Sequence, residues 1–344
     1  MAQLRNTTIS DTGFLRLPLG TAAQKPSAAD NGNLRYNSNG NRIDNSNSQG
    51  WTGSPNATVT GTVNTFDLND YRIHVFTGSG SFNVTRAGAI DVLLVAGGGG
   101  AANHNAGGAG AGGVVFLTNR YVSTGNKAVT IGAGGAGGLG QADPLAANGQ
   151  NTTFDGLTAL GGGRGSSWIS NNGLAGGSGA GGNAHSSGSI TTQNQAFVVG
   201  KAATQPTSAS SGFGNRGGDA FLGGNRAGGG GGGAGSPGRV GRPGIGGQGG
   251  DGLYFGNIFG RTVGDNGFFA GGGSGVSRQA EDVNVGGAGG GGTSFGQFVS
   301  SNGEQNAKPN TGGGGGAIET NSGTTPPFGG NGGSGVVIIR YPLP

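Results

Sequence analysis

Apolar positions in this chain fall in short runs set between long polar or glycine-filled stretches, and the runs have the spacing of strands. Ile90-Asp-Val-Leu-Leu-Val95 is nearly continuous, the pattern of a central strand buried on both faces. Tyr71-Arg-Ile-His-Val-Phe76 and Ser81-Phe-Asn-Val-Thr85 alternate apolar with polar, and Thr77-Gly-Ser-Gly80 between them predicts a turn. Further strands are expected at Val114 to Leu117, Ala128 to Ile131, Phe197 to Val199 and Val336 to Tyr341. Helical periodicity is almost absent, so the predicted fold class is all-β. In the polar first sixty residues, Leu34 and Tyr36 alternate as strand positions do, and Ser38-Asn-Gly-Asn-Arg42 supplies turn chemistry for a hairpin.

Composition changes this picture through glycine, which makes up 88 of the 344 residues. Glycine loses more backbone freedom on folding than any other residue, so so much of it must be compensated by unusually close packing. Collagen is excluded: there are only 12 prolines, and runs such as Gly312 to Gly316 break any triplet. A flexible linker lacks regular apolar segments, and disordered chains are typically charged and poor in aromatics. Here 10% of residues are charged, with 16 Phe, 5 Tyr and 2 Trp. The glycines form blocks at 97–100, 107–113, 132–140, 161–165, 175–182, 217–234, 241–252, 271–275, 286–292, 312–316 and 329–335. Such blocks predict rods of polyproline-II conformation, three residues per turn, close enough for backbone amides to pair between them.

Two resemblances give these elements a context. The string Gly20-Thr-Ala-Ala-Gln-Lys-Pro26, Leu34-Arg-Tyr-Asn37, Arg42-Ile43 and Gly50-Trp51 resembles a short hairpin module near the N-terminus of phage tail-fibre and other appendage proteins. It departs from that pattern at Asp44-Asn-Ser-Asn-Ser48. The resemblance implies a virion-attachment segment over residues 1–60, with Leu34, Tyr36 and Trp51 as its attachment candidates. The strings at 71–84, 90–100 and 129–135, with the closing Gly332-Gly-Ser-Gly-Val-Val-Ile-Ile-Arg-Tyr341, resemble the glycine-rich domain of many phage tail proteins. They are also similar to the glycine-rich extracellular region of anaplastic lymphoma kinase. This second resemblance implies a jelly-roll, tumour-necrosis-factor-like β-sandwich over 61–344, interleaved with polyglycine-II helices. Val336 to Tyr341 would then pair in the sheet that holds Ile90 to Val95.

Candidate chemistry adds little. Gly97-x-Gly99-x-x-Ala102 follows a strand as a dinucleotide-binding turn does, but Asn119-Arg120 stands where the ribose-binding acid belongs. Gly246 to Tyr254 fits a single nonapeptide of a calcium β-roll with no second copy, which leaves only the question of an ion near Asp251. The histidines are His74, His104 and His185; His74 is expected on a strand, pointing to solvent or a polar neighbour. With no cysteine, no metal set is expected, and no cofactor. Gly177-Ser-Gly and Gly273-Ser-Gly lie inside glycine blocks rather than at a nucleophile elbow. Arg164, Arg216, Arg226, Arg239 and Arg242 are too sparse for an RGG segment, though a disordered RNA-binding protein stands as one alternative. The net charge of +4 comes from scattered residues, so no nucleic-acid partner is expected, and the start lacks an apolar signal core.

The expected function is therefore non-enzymatic: a structural appendage of a phage virion, such as a fibre or tip, that contributes to host attachment. The alternative within the particle is an architectural capsid decoration or collar protein. Trp168, Tyr254, Phe255, Phe259, Phe268 and Phe269 interrupt glycine stretches and are the candidate receptor-contact residues, for a host protein or glycan. Other virion proteins are the expected partners of the N-terminal segment. A homotrimer is implied by resemblance, and no membrane insertion is expected.

Overall fold

In a computed structural model, the protein is described at the strand backbones 19–20, 34–37, 42–47 and 50–52, and at residues 54–139, 145–166, 173–184, 197–205, 212–278, 283–296, 303–319 and 328–343. The first strands, β1 (Leu19–Gly20), β2 (Leu34–Asn37), β3 (Arg42–Asn47) and β4 (Gly50–Thr52), form a four-stranded sheet of their own. β2 and β3 pair antiparallel with Asn37 opposite Arg42, as the hairpin chemistry predicts. Leu34 and Tyr36 lie on β2, and Trp51 on β4 opposite Ser46. The next strand, β5 (Asn56–Leu68), spans residue 60.

A nine-stranded antiparallel sheet follows, curled so that its two arms face each other. It takes in β5, β6 (Tyr71–Arg86), β7 (Gly88–Val95), β8 (Val114–Val122), β9 (Gly125–Thr130), β10 (Thr152–Phe154) and β11 (Leu157–Ala159). Next come β12 (Phe197–Val198), β13 (Gly212–Phe213), which adds to β8, and β14 (Ala220–Phe221), which pairs with β12. β15 (Leu253–Tyr254), a single helical turn α1 (Gly256–Phe259) and β16 (Phe268–Phe269) close a small ribbon, and β17 (Val283–Asn284) pairs with β18 (Ser294–Phe295). The last strand, β19 (Val336–Pro342), inserts between β6 and β7, with Ile338 opposite Leu93 on one side and Val75 on the other. The closing strand thus returns to the sheet of Ile90 to Val95, as expected.

β6 departs from the sequence expectation. Thr77-Gly-Ser-Gly80 makes no hairpin; the strand runs unbroken for 16 residues against β5. Its glycines serve a bend rather than a reversal. At the bend Gly61 has φ +102°, and a Cβ at Gly80 would stand 2.0 Å from the Thr60 carbonyl oxygen. This bent ribbon carries β6 from one arm of the curled sheet to the other.

Two cores explain the continuous apolar runs. Inside the curl pack Phe76, Phe82, Val92, Leu94, Val129, Phe154, Val337, Ile339 and Tyr341. On the outer face, the alternate residues Ile73, Val75, Leu93, Val95, Val336 and Ile338 pack under Phe255, Phe259, Val263 and Phe269. Period-two side chains therefore leave β7 and β19 buried on both faces.

The glycine blocks are long insertions between strands, and they bundle against one end of the sheet. Segment 106–113 shows their rule. Its N–H groups at 108 and 111 donate to Gly229 and Gly232, those at 109 and 112 to Gly315 and Gly312, and those at 110 and 113 to Gly163 and Leu160, all at 2.8–3.0 Å. Its carbonyls accept from Gly181 and Ser178, from Val276 and Gly273, and from Gly99 and Ala96. Residues three apart thus face the same neighbour, and six neighbouring segments surround the strand. The segment 228–233 donates with the same period to Val276 and Gly273, to Gly182 and Gly179, and to Arg239 and Ser236.

Glycine is required here for space rather than for backbone freedom. No glycine in 97–100, 107–113 or 228–233 has a left-handed φ. Yet a Cβ at Gly108 would stand 2.1 Å from the Gly273 carbonyl oxygen, and one at Gly110 2.1 Å from that of Ser178. Alanine enters the bundle where its methyl meets other methyls, as in the buried group Ala102, Ala106, Val276 and Ala317.

Candidate functional site

The fold sets up two poles. Val95, Val114 and Val336 lie side by side where the strands meet the glycine bundle, and Gly88 with Val122 marks the other end of the same sheet. The chain enters the sheet at that other end: Asn56 pairs with Arg86, and the Ser54 hydroxyl donates to the Leu343 carbonyl. The far tip of the bundle is a gathering of turns. Asn103 bridges Ile318, the Ala184 N–H donates to the Asn105 carbonyl, and the Arg278 N–H to that of Arg226.

Backbone saturation decides the fate of the glycine motifs. The N–H groups of Gly97, Gly98, Gly99 and Gly100 donate to Gln150, Gly333, Gly110 and Ala147, so none is left to cradle a phosphate. Instead of opening a helix, the segment runs on into the bundle. Gly247 and Gly250 donate to Gly228 and Gly231, and the Asp251 carboxylate accepts the Ala288 N–H at 3.0 Å. Ser178 and Ser274 are fully buried within glycine segments, where no substrate reaches a nucleophile.

The aromatic candidates divide. Phe255, Phe259 and Phe269 belong to the outer core, Phe259 edge-on to Phe116 with ring centroids 6.1 Å apart. Their burial leaves them no face for a receptor, because β7 and β19 present apolar side chains on that side that must be covered. Tyr254 and Phe268 are half-buried and pack on each other at 4.8 Å between centroids, and the Tyr254 hydroxyl accepts from the Arg261 Nε at 3.0 Å. Trp168 lies outside the described residues, as does His185. The signal for the buried three was present in the sequence: a run apolar on both faces demands a cover on its outer side.

His74 is not solvent-facing but 3% exposed, its ring nitrogens 2.7 Å from the Thr65 hydroxyl and 3.0 Å from that of Tyr341. Burial lowers its pKa to about 4, helped by the nearby Arg72 charge and opposed by Asp67. On the bundle's flank, a cleft of about 500 Å³ is lined by Arg239, Gln248, Asp251, Asp265 and Lys308. Burial works against ionisation of Asp265, but the Lys308 ammonium and the N–H groups of Gly289 and Gly290 hold its carboxyl below the usual range.

Sequence spacing missed one pairing, because its partners are more than two hundred residues apart. At the tip, His104 Nδ1 lies 3.5 Å from Glu319 Oε1, and the Asn105 N–H donates to Glu319 Oε2 at 2.6 Å. Glu319 is 4% exposed, and desolvation pushes its carboxyl up to about 7, against the Asn105 hydrogen bond and the Arg278 charge.

A family model described as a glycine-rich domain matches residues 75–342, from the middle of β6 to the end of β19. The chain belongs to the glycine-rich domain family. The matched span begins and ends on paired neighbours of one sheet, so the family unit is the curled sheet together with all its glycine insertions. No curated protein matches the chain. Among the described residues of this glycine-rich domain, no helix is long and apolar enough to cross a membrane.

Proposed function

We propose that this glycine-rich domain is a non-enzymatic structural appendage of a phage virion, a fibre or tip protein contributing to host attachment. Its glycine segments are polyglycine-II helices threaded through a jelly-roll, tumour-necrosis-factor-like sandwich. The three-residue period of the hydrogen bonds and the six neighbours of segment 106–113 support the helix reading, since polyglycine-II has three residues per turn. The carrying observation for the function is polarity. The chain arrives from its N-terminal sheet at Ser54–Asn56, at one pole, and the turns of the glycine bundle gather at the other. Such a body suits an anchor below and a display surface above, with a backbone-bonded lattice between them as spacer.

The N-terminal hairpin, through Leu34, Tyr36 and Trp51, would join other virion proteins, and the chain would assemble as a homotrimer. Tyr254 and Phe268 remain as contact candidates for a host receptor or glycan. Imaging of intact particles carrying a label at residue 224 tests this reading. The expected result is density projecting from the virion surface, lost when residues 1–52 are deleted. Particles that lack the protein but adsorb normally would move the role to capsid decoration or collar. Absence of the protein from purified particles would refute it.

A further inference from the structure

The cleft on the flank of the bundle holds polar groups that the fold fixes in place but does not use up. Its volume of about 500 Å³ lies within the range of roughly 300–1,000 Å³ that small-ligand sites occupy. Most such sites are lined chiefly by apolar side chains, whereas this one is lined by charged and polar groups over a glycine backbone.

Two paired segments supply Arg239, Gln248 and Asp251. The Arg239 N–H donates to the Gln248 carbonyl at 2.9 Å, and the N–H groups of Gly235 and Ser236 donate to the Asp251 carbonyl at 2.8 and 3.0 Å. Gly247 and Gly250 donate to Gly228 and Gly231, so this segment repeats every three residues, and Gln248 and Asp251, three apart, both reach the cleft. A single turn then fixes two carboxylates. The Ala288 N–H holds Asp251 through Oδ1, and the N–H groups of Gly289 and Gly290 hold Asp265 through Oδ2 at 3.4 and 3.2 Å. Those two glycines have left-handed φ, at +101° and +82°, and Lys308 Nζ donates to the remaining Asp265 oxygen.

What stays unpaired defines the ligand. Among the described residues, nothing bonds the Arg239 guanidinium, the Gln248 amide, the Thr293 hydroxyl or the Asp251 Oδ2. The cleft therefore offers a fork of donors, a free carboxylate oxygen, and two groups that both donate and accept. Its charges cancel, Arg239 and Lys308 against Asp251 and Asp265. An anion would meet two carboxylates and a cation two positive groups, whereas a hydroxyl donates and accepts at once and satisfies both kinds. At the margin, Val285 lines the cleft, and Ile245 and Val283 stand beside it because Gly246 packs against Asn284. These three aliphatic side chains are 61%, 53% and 47% exposed, an apolar patch of the kind that marks a contact surface.

We propose that this cleft binds a neutral oligosaccharide. Arg239 and the Asp251 Oδ2 hydrogen-bond neighbouring hydroxyls, Gln248 and Thr293 take further ones, and Val285 packs under the C–H face of a ring. The proposal goes beyond the virion reading and does not rest on it, because binding is read on the isolated chain.

The test is NMR titration of the full chain with four neutral trisaccharides: maltotriose, cellotriose, mannotriose and triacetylchitotriose. The anionic 3′-sialyllactose and the cationic, deacetylated chitotriose serve as charged counterparts. At least one neutral sugar should shift the amides of 248–251 and 285–291 saturably, with a Kd of about 10 mM or tighter and the charged sugars at least about tenfold weaker. Arg239→Ala and Asp251→Asn should each weaken binding by at least about tenfold, the loss of one charge-assisted hydrogen bond. Arg239 bonds no described side chain, and Asp251→Asn keeps an oxygen for the Ala288 N–H, so both variants should fold; unchanged melting curves verify this. No saturable shift from any of the four sugars at about 20 mM, equal or tighter binding of a charged sugar, or binding that survives both substitutions overturns the proposal.

Discussion

Gly231 lies so close to Ala109 that a Cβ placed on it would stand 1.9 Å from the Ala109 carbonyl oxygen. The two residues sit on adjacent segments that run parallel, joined by the N–H groups of 108 and 111. This spacing repeats through the bundle and turns an abundance of glycine from a liability into a packing rule. Each backbone bond contributes about 1 kcal/mol net, while an unmade buried one costs about 1–3 kcal/mol, so the lattice is favourable only when complete.

Gly231→Ala should therefore destabilise the protein by about 2–3 kcal/mol or more, as overpacking against immovable backbone does. Gly224 is the control: it is exposed, its φ is not left-handed, and nothing lies within 4 Å of a Cβ built there. Gly224→Ala should change stability by no more than about 0.5 kcal/mol. Urea denaturation of the two variants checks both values, and equal effects would count against the lattice.

The aromatic residues should separate in the same assay. Phe259→Ala removes a fully buried ring from the outer core and should cost about 3–5 kcal/mol. Tyr254→Ala loses a half-buried ring and its bond from Arg261 and should cost about 1 kcal/mol. If Tyr254 contacts a host receptor, its variant adsorbs poorly although its melting temperature falls by only about 2–4 °C, whereas Phe259→Ala loses adsorption and stability together.

Acid should weaken the fold through His74. Its folded pKa, about 4, lies below the ordinary 6.5, so between these values the unfolded chain takes up a proton that the folded one refuses. Stability from this site is full above about pH 6.5 and falls as pH drops toward 4, by roughly 3 kcal/mol. The groups facing the ring are Thr65, Tyr341, Phe82 and the charges of Arg72 and Asp67. His74→Phe should flatten this part of the profile, seen as a smaller loss of urea midpoint between pH 7 and pH 4.5 than in the unmodified protein.

Much of this was legible in the sequence because strands and glycine blocks carry local signals. Ile90 to Val95 and Val336 to Tyr341 are apolar at every step but one or two, and they occupy the centre of the sheet as a two-sided burial pattern requires. Thr77–Gly80 predicts a turn within β6 because the same residues serve a hairpin and a bend; only the partner strand, β5, distinguishes them. β5 itself is largely exposed and polar, held by its backbone pairing, and so gives a weak apolar signal. The six neighbours of segment 106–113 come from positions between 96 and 315, an arrangement no local pattern encodes. The same distance hid His104 from Glu319.

The central claim is that the glycine blocks form an ordered, hydrogen-bonded lattice, and amide hydrogen exchange read by NMR tests it most directly. The N–H groups of 97–100, 108–113 and 228–233 are predicted to exchange as slowly as those of Val92 to Leu94 in β7, within about tenfold, because both are buried and bonded. Exchange of the glycine amides at the rate of an unstructured chain, with β7 still protected, would contradict the account.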